Sequence, residues 1–403
     1  MSRAKPPRET LLGIIKEKHD QIPSIMKENK VACWLTFIRE TEANPDPVAD
    51  LIIGGKVVWE SAFIFNYQDG NFSKVAIVGN FDAPAEEEKG IWDKVIAYTE
   101  GIAEPLREYF NEIDPKSIAM NYSEDDVVSD GLSHGMFLKI SNILVEKKDR
   151  FISAAPLIQA IRGRKTETEI KMVTEACKLT EEINRNITSK LKVGLSEPEI
   201  QQMFHNEMDQ LGVEEAWQRV SCPAVDAGPN KELGHVGPSL QYSTQKGHTL
   251  HNDFGIKLHG YCSDIQRMWF FGTEPPEELI HAFETVRDAI LKAAEFIKPG
   301  ITGYFVDNIA REYVKSRGYE EYKHALGHQV GTKAHDGGVI LGPLWERYGD
   351  TPKGLIEESN IFTLELNVKT QNYGTVSLEE NIVITRDGCE FLVPPQEKFI
   401  LIT

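Results

Sequence analysis

The sequence lacks the features of exported, membrane-spanning and nucleic-acid-binding proteins. Its five cysteines are odd in number, widely spaced and free of Cys-x-x-Cys pairs, which indicates reduced thiols in a cytoplasmic protein. No apolar run approaches the length of about 18 residues that crosses a membrane, and the charged N-terminal stretch has no signal-peptide core. The formal net charge of -18 disfavours nucleic acid or an anionic membrane as a partner.

The composition is typical of a globular protein with more than one domain. Hydrophobic residues make up 41% and charged residues 26% of the 403 positions, a length that predicts two or three domains. Strand-like and helical runs alternate in the first part, as in an α/β domain; the strands are predicted at 32–37, 51–54, 57–65 and 75–78 and the helices at 9–28 and 88–110. We predict one domain over residues 1–160 and a second over 161–403.

The second domain carries signs of an internal duplication. Segments 194–212 and 300–318 have equal length, begin and end with glycine, and each follows a long helical pattern. Ser196 and Glu199 have the spacing of a capping box at the start of the first segment. Each helix pair is followed by a predicted hairpin that contains two acids. Two copies of helix, helix and strand pair predict a pseudo-twofold domain in which the acid pairs meet near the axis.

Two acids face each other in the first predicted hairpin. Residues 249–258 and 261–271 are apolar, aromatic-rich runs on either side of a tight turn around His259. Pairing about this turn places Asp253 opposite, or nearly opposite, Asp264. Cross-strand neighbours have Cβ atoms about 4.5–5.5 Å apart, and like charges there are destabilising. We therefore expect a positive charge between the two acids.

The second predicted hairpin repeats this arrangement. Residues 361–369 and 375–385 fold about 371–374 and bring Glu365 against Glu379. A single acid of this kind could simply face solvent, but the coincidence on both hairpins favours a bound cation. Two divalent cations would neutralise all four carboxylates, whereas protonating them at neutral pH would require large pKa shifts. The pattern predicts a two-metal hydrolase.

Histidines near these motifs narrow the choice of cation. A single histidine is more often a packed or surface residue than a ligand, but four of the eleven lie in motifs that could face the acids: His235, His324, His328 and His335. A site made only of carboxylates suits Mg²⁺ or Ca²⁺. One imidazole ligand shifts the preference toward Mn²⁺, Co²⁺, Fe²⁺ or Zn²⁺.

Taken together, these motifs resemble the pita-bread metallopeptidases, which include methionine aminopeptidase, aminopeptidase P and prolidase. The resemblance covers essentially the whole chain, and its most specific parts are the Asp253–Asp264 spacing and the segment from His324 to His335. It is strongest to the proline-specific members. It implies an α/β (α+β) fold in which a creatinase-like N-terminal α/β domain precedes a pseudo-twofold pita-bread catalytic domain.

The resemblance also implies a set of metal ligands. Asp253 would bind one ion, His328 and Glu365 would bind the other, and Asp264 and Glu379 would bridge both. It favours Mn²⁺, with Co²⁺, Zn²⁺ and Fe²⁺ as alternatives. Water bound between the two ions would have a lowered pKa and would therefore be present as hydroxide. By the resemblance, this hydroxide would attack the peptide bond before proline. Glu365 would act as the general base.

Three further histidines would contact the substrate by the same resemblance. His324 would line the substrate site, and His235 and His335 would also stabilise or shuttle charge in the tetrahedral intermediate. Trp345, in the loop that follows, could line a substrate pocket with Arg347 and Tyr348 or could simply pack. The expected partners are short proline-containing peptides and a second copy of the chain in a homodimer.

Several positions depart from the family pattern. The common Glu-Pro-Gly reads Glu-Leu-Asn at 365–367, and the connection to Glu379 is short. An arginine that many relatives place two residues before the last ligand is Ser377 here. Glu380 could be mistaken for that ligand, but alignment with the family's Glu-Asp pair favours Glu379. These departures put metal preference, rate and substrate choice in question.

Three functional classes follow from the sequence. The first is a dinuclear metallopeptidase for Xaa-Pro bonds, either a dipeptidase or an aminopeptidase for longer peptides. The second is a creatinase-like, metal-free hydrolase of a small C–N substrate, and the third is a non-catalytic pita-bread binding module. Because all five ligand positions are retained, we prefer the first.

Overall fold

The computed structural model describes residues 3, 5–230 and 236–403 and divides the chain into two compact units. The N-terminal unit is Pro7–Arg162, and the C-terminal unit is Gly163–Thr403 with the described part of residues 1–6. No helix of the described residues is long and apolar enough to span a membrane. The mixed α/β architecture predicted from the sequence is confirmed.

The N-terminal unit is built on one mixed sheet with strand order β4-β3-β2-β1-β5-β6. Strand β1 is buried along its whole length, with Trp34 in one apolar core and Cys33 and Leu35 in the other. The two cores therefore lie on opposite faces of the sheet. The elements in chain order are α1 (Arg8–Glu28), β1 (Cys33–Ile38), α2 (Ala49–Ile52), β2 (Ser61–Gln68), β3 (Asn71–Gly79), α3 (Ala83–Lys89), β4 (Lys94–Tyr98), α4 (Ala103–Ile113), β5 (Ile118–Met120), α5 (His134–Ile143), β6 (Phe151–Ser153) and α6 (Ala155–Gly163).

Two of the predicted elements in this unit were wrong. Residues 51–54 were expected as a strand but lie at α2, where the Ile53 N–H donates to the Ala49 carbonyl over 2.8 Å. A short apolar run does not distinguish the two conformations. The helix expected over 88–110 is divided, because the β-branched residues Val95 and Ile96 belong to β4, which pairs in parallel with β3.

The C-terminal unit contains two helix pairs, each followed by strands. The first pair is α7 (Glu167–Thr188) and α8 (Glu197–Leu211), and the second is α9 (Glu277–Phe296) and α10 (Gly303–Ser316). The strands are β7 (Glu214–Glu215), β8 (Ala224–Ala227), β9 (Thr249–Phe254), β10 (Ile256–Leu258), β11 (Tyr261–Cys262), β12 (Ile265–Phe271), β13 (Ile361–Lys369), β14 (Thr375–Ile384), β15 (Cys389–Phe391) and β16 (Ile400–Ile402).

The second helix of each pair begins in the same way, as the predicted duplication requires. Gly194 and Gly300 have φ values of 93° and 88° shortly before α8 and α10. The Glu199 carboxylate accepts the Ser196 N–H over 2.8 Å, and the Thr302 hydroxyl accepts the Phe305 N–H over 3.4 Å. The order of helix, helix and strand pair therefore occurs twice, and the pseudo-twofold fold is confirmed.

A curled sheet joins the two halves of the C-terminal unit. Its strand order is β13-β14-β12-β9-β8, with β15 on β14 and β16 on β12. Helices α9 and α10 pack on β13 and β14 in one apolar core, while α7 and α8 pack on β8 and β9 in another. Because β12 contributes to both cores, it holds the acids of the two halves in one sheet.

Candidate metal centre

A break in the first hairpin sets the position of its second acid. Asp253 pairs directly with Gln266, so Asp264 lies just beyond the last pair and is a diagonal rather than a direct neighbour. The break falls at Gly255, where a Cβ would lie 2.1 Å from the Ser263 carbonyl oxygen. Asp253 nevertheless lies close enough to Asp264 for its charge to raise the pKa of the Asp264 carboxyl group.

In the second hairpin the acids pair as the strand pattern predicts. Glu365 and Glu379 are direct cross-strand partners. Glu380 lies on the opposite face of β14, where the buried Arg267 guanidinium binds its two carboxylate oxygens over 2.9 and 3.0 Å. Glu379 and not Glu380 therefore faces the other acids. The β13–β14 ladder continues without interruption through residue 369, and Leu366, unlike a proline, has a backbone N–H group.

His328 lies among these carboxylates. Its Nε2 atom is 3.6 Å from Glu365 Oε1, 3.8 Å from Asp264 Oδ2 and 3.8 Å from Glu379 Oε1. Ligand atoms of Asp264, His328 and Glu379 all lie within 4.8 Å of one another. We refer to Asp253, Asp264, His328, Glu365 and Glu379 as the acidic cluster.

Backbone pairing with β13 holds His328 in this place. The His328 N–H donates to Thr363 Oγ1 over 3.1 Å, and the Thr363 N–H donates back to the His328 carbonyl over 2.9 Å. This approach is so close that a Cβ on Gly327 would lie 2.0 Å from the Thr363 carbonyl oxygen. The glycine before His328 is therefore needed to bring its imidazole to Glu365.

Without a counter-charge, the acids suppress one another's ionisation. Burial, followed by the charges of Asp253 and Glu365, raises the pKa of Asp264 well above its usual value. Burial and the charge of Asp264 raise the pKa of Glu379 in the same way. Burial, then Asp253, raises the pKa of Glu365 to about 8. Burial lowers the pKa of His328 to about 3, so its ring is neutral and can offer a lone pair.

These properties fit a divalent cation. Ligand atoms around an ion with bonds of about 2.1 Å lie about 3 to 4.2 Å apart, and the 3.6–3.8 Å distances from His328 fall in that range. Several buried acids that repel one another also gain more from a cation than from protons. The mixed carboxylate and imidazole set is one that Mn²⁺, Co²⁺, Fe²⁺ and Zn²⁺ accept.

The structure places two of the three remaining candidate histidines. The His335 ring makes an edge-to-face contact with His328, with centroids 4.3 Å apart, and so adjoins the cluster. His324 precedes His328 in the same segment, and both of its ring nitrogens have hydrogen-bond partners. His235 lies outside the described residues.

His324 is fixed by a residue that the sequence did not identify as functional. Its Nδ1–H donates to the Ala325 carbonyl over 2.8 Å, and its Nε2 atom accepts the Asn367 amide over 2.8 Å. Burial lowers its pKa, which keeps the ring neutral. Asn367 follows Glu365 by two residues on β13, so the period of a strand places both side chains on one face. The two-residue spacing from Glu365 was the feature of the sequence that could have identified Asn367.

The network around Gln266 was also missed. The Ser377 hydroxyl donates to Gln266 Oε1 over 2.6 Å. His251 contacts the same oxygen over 3.0 Å through Nε2 and Asp226 over 2.9 Å through Nδ1. Burial lowers the pKa of His251, but Asp226 outweighs it and the net shift is upward. Gln266 and His251 alternate with Asp264 and Asp253, a spacing that indicates one sheet face.

The aromatic loop after the histidine segment both packs and borders a pocket. Trp345 and Tyr348 stack with centroids 6.0 Å apart, and the Arg347 guanidinium lies 4.8 Å and 4.9 Å from the two rings. The Tyr348 hydroxyl accepts the Ala325 N–H over 3.0 Å, next to His324. An open pocket of about 760 Å³ is lined by Lys323, Trp345, Glu346 and Arg347.

Comparisons with known proteins agree with this geometry. Residues 171–386, more than half of the chain, match metallopeptidase family M24. An uncharacterized peptidase of Staphylococcus haemolyticus is 30% identical over 236 residues, which span 58% of this chain and 64% of that protein. An Xaa-Pro dipeptidase of Pyrococcus horikoshii is 29% identical over 249 residues, 60% of this chain and 66% of the relative.

A solved structure extends the likeness to nearly the whole chain. The X-Pro aminopeptidase of Thermotoga maritima has a TM-score of 0.72 and 22% identity, covering 94% of this chain and 100% of that one. This likeness concerns the fold. The pita-bread fold and the resemblance to proline-specific members are confirmed.

Proposed function

The chain belongs to metallopeptidase family M24, and on that premise we propose that it uses two divalent metal ions to hydrolyse the peptide bond before proline. The observation that carries the proposal is the acidic cluster, in which the carboxyl groups of Asp264, Glu365 and Glu379 lie 3.6–3.8 Å from the neutral His328 ring and the charge of Asp253 acts on all three. We assign the ions to Asp253, Asp264, His328, Glu365 and Glu379. Divalent ions bound there would polarise the scissile carbonyl and activate water.

Exposure separates the roles of the two paired glutamates. The Glu365 side chain is 21% exposed, whereas that of Glu379 is 2% exposed. Glu365 is therefore accessible to water and substrate, and we assign it the general-base role, in which its carboxylate takes a proton and delivers it to the leaving imide nitrogen. The buried Glu379 would act as a metal ligand that supplies negative charge at a fixed position.

We assign substrate binding to three histidines. His335 makes an edge-to-face contact with His328, and we give it the role of donor to an oxygen that gains negative charge. Single donors of that kind are worth about 3 to 4 kcal/mol. We keep His235 as a second such group. His324 would line the site, but its Nε2 atom can contact a substrate only when the Asn367 hydrogen bond opens.

Proline specificity is part of the proposal because of the relatives and the substrate's shape. The Pyrococcus horikoshii relative is named an Xaa-Pro dipeptidase. A bond to proline has no N–H and a fixed ring, so a peptidase needs a site dedicated to it. We expect short proline-containing peptides as substrates, Mn²⁺ as the preferred ion, and a homodimer in the cytoplasm.

The test compares a small peptide panel on one preparation. The protein is chelated, then re-supplied with Mn²⁺, Co²⁺ or Zn²⁺, and incubated with Gly-Pro, Ala-Pro, Gly-Pro-Pro and the control Gly-Ala. The proposal expects metal-dependent cleavage of Xaa-Pro bonds only. Cleavage of dipeptides alone indicates a dipeptidase, and cleavage of the longer peptide alone indicates an aminopeptidase. Failure to cleave the bond before proline in any of the three Xaa-Pro peptides, with any of the metals, would overturn the proposal.

A further inference from the structure

A line of buried polar side chains crosses four neighbouring strands and ends on the acidic cluster. Asp226 on β8 pairs directly with His251 on β9. Gln266 on β12 pairs directly with Glu379 on β14. His251 connects the two pairs diagonally through Gln266 Oε1. All four side chains are at most 6% exposed.

The donor and acceptor atoms along this line of side chains can be assigned. Gln266 Nε2 donates to Glu379 Oε2 over 3.0 Å, so the Gln266 amide oxygen is the atom that faces His251 and the Ser377 hydroxyl. The reverse amide orientation would set oxygen against the Glu379 carboxylate. An amide oxygen only accepts, and therefore His251 must carry a proton on Nε2.

Asp226 holds the other nitrogen of the ring. Its carboxyl oxygen Oδ2 lies 2.9 Å from His251 Nδ1, within hydrogen-bonding distance. Because the Nε2–H group donates to the Gln266 amide oxygen, His251 holds Gln266 with this oxygen toward the ring and its NH₂ group toward Glu379.

The consequence falls on the Glu379 carboxylate. Its Oε2 atom is held by Gln266, while its Oε1 atom lies 3.8 Å from His328 Nε2 and in reach of Asp264. Rotation of the carboxylate would break the bond to Gln266. One oxygen is thereby directed to the place where the cation ligands converge.

We propose that Asp226, His251 and Gln266 are positioning residues that orient Glu379 for cation binding. The inference rests on the proposed function only in that the acidic cluster binds a divalent ion. Outer partners of this kind typically change metal affinity by about 10- to 100-fold when they are removed. Asp226 acts at the far end of the line, through two intervening side chains.

The experiment measures Co²⁺ binding rather than activity. Full-length protein is chelated and titrated with Co²⁺, and both the dissociation constant and the visible absorption spectrum of the bound ion are recorded. Two variants are compared with the wild type. Gln266→Met keeps an unbranched side chain but removes the donor, and Asp226→Asn keeps the shape but replaces the carboxylate that holds His251 Nδ1.

The expected result is weaker Co²⁺ binding, by about 10- to 100-fold for Gln266→Met, and a smaller shift of the same sign for Asp226→Asn, each with an altered spectrum. The matched control is His205→Gln, since His205 is also a buried histidine, whose ring donates to the Cys222 carbonyl over 2.8 Å. It should lower thermal stability and leave the cobalt spectrum unchanged.

Three outcomes would count against the inference or its premise. A folded Gln266→Met protein with wild-type affinity and spectrum overturns the positioning role. If that variant does not fold, Asp226→Asn decides, and wild-type binding by this variant overturns the role as well. Wild-type protein that binds no Co²⁺ overturns the proposed function itself, so the two failures are distinguishable.

Discussion

Removing divalent cations should make the stability of this protein fall as the pH rises. The pKa of Glu365 is about 8 in the folded, cation-free chain and about 4.3 in an unfolded chain. Between these values the folded state binds a proton that the unfolded state has lost. The stabilisation from this proton is fully present below about pH 4.3 and is lost as the pH rises through about 8.

The size of the effect follows from the number of retained protons. Each proton held only by the folded state changes the free energy of unfolding by about 1.4 kcal/mol per pH unit. Through Glu365 alone, the free energy of unfolding should fall by up to about 2 kcal/mol between about pH 6 and 7.5. This is an upper value because the Glu365 side chain is 21% exposed. Asp264 and Glu379, whose pKa values are also raised, act in the same direction.

Urea unfolding at several pH values, with chelator or with saturating Mn²⁺, measures this effect. The chelated protein should lose stability as the pH rises. The Mn²⁺ form should not, because the ions keep the carboxylates ionised in the folded state. In the chelated protein, Glu365→Gln should make the free energy of unfolding depend less steeply on pH, by the equivalent of up to one bound proton. An identical pH dependence with and without Mn²⁺ would refute the reasoning.

Three further substitutions have defined outcomes. Asp264→Ala should abolish metal binding and activity but spare the fold, because it removes a repelling charge together with its cation; elemental analysis and circular dichroism check this, and substantial activity would contradict it. Arg267→Met should cost about 3 to 5 kcal/mol in urea unfolding, since it leaves Glu380 buried without its partner. Asn367→Gly should release His324 Nε2, which NMR of the ring nitrogens would detect as a changed hydrogen-bond state; an unchanged signal would argue against the assigned bond.

The second hairpin was predictable because its register depends on local information. Alternation along 361–369 and 375–385 and a short turn are sufficient to place Glu365 opposite Glu379, as observed. The first hairpin was predicted less well, because the break at Gly255 depends on the close approach of the Ser263 backbone. That contact displaces Asp264 from direct pairing, and no local pattern encodes it.

The line of side chains behind Glu379 could not be predicted for a different reason. It requires β8 beside β9 and β12 beside β14, and the second of these pairings joins residues more than one hundred positions apart. Sequence periodicity places His251 and Asp253 on one face of a strand, but it does not say which strand lies next to it. The partner of Ser377 therefore appeared only in the folded chain.

The most direct test of the central claim is elemental analysis and hydrolysis of Xaa-Pro peptides measured on the same purified sample, before and after chelation. The account predicts two divalent ions per chain, hydrolysis of Ala-Pro or of a longer Xaa-Pro peptide, and loss of both on chelation with recovery when Mn²⁺ is restored. Full activity in a sample shown to contain no metal would contradict it.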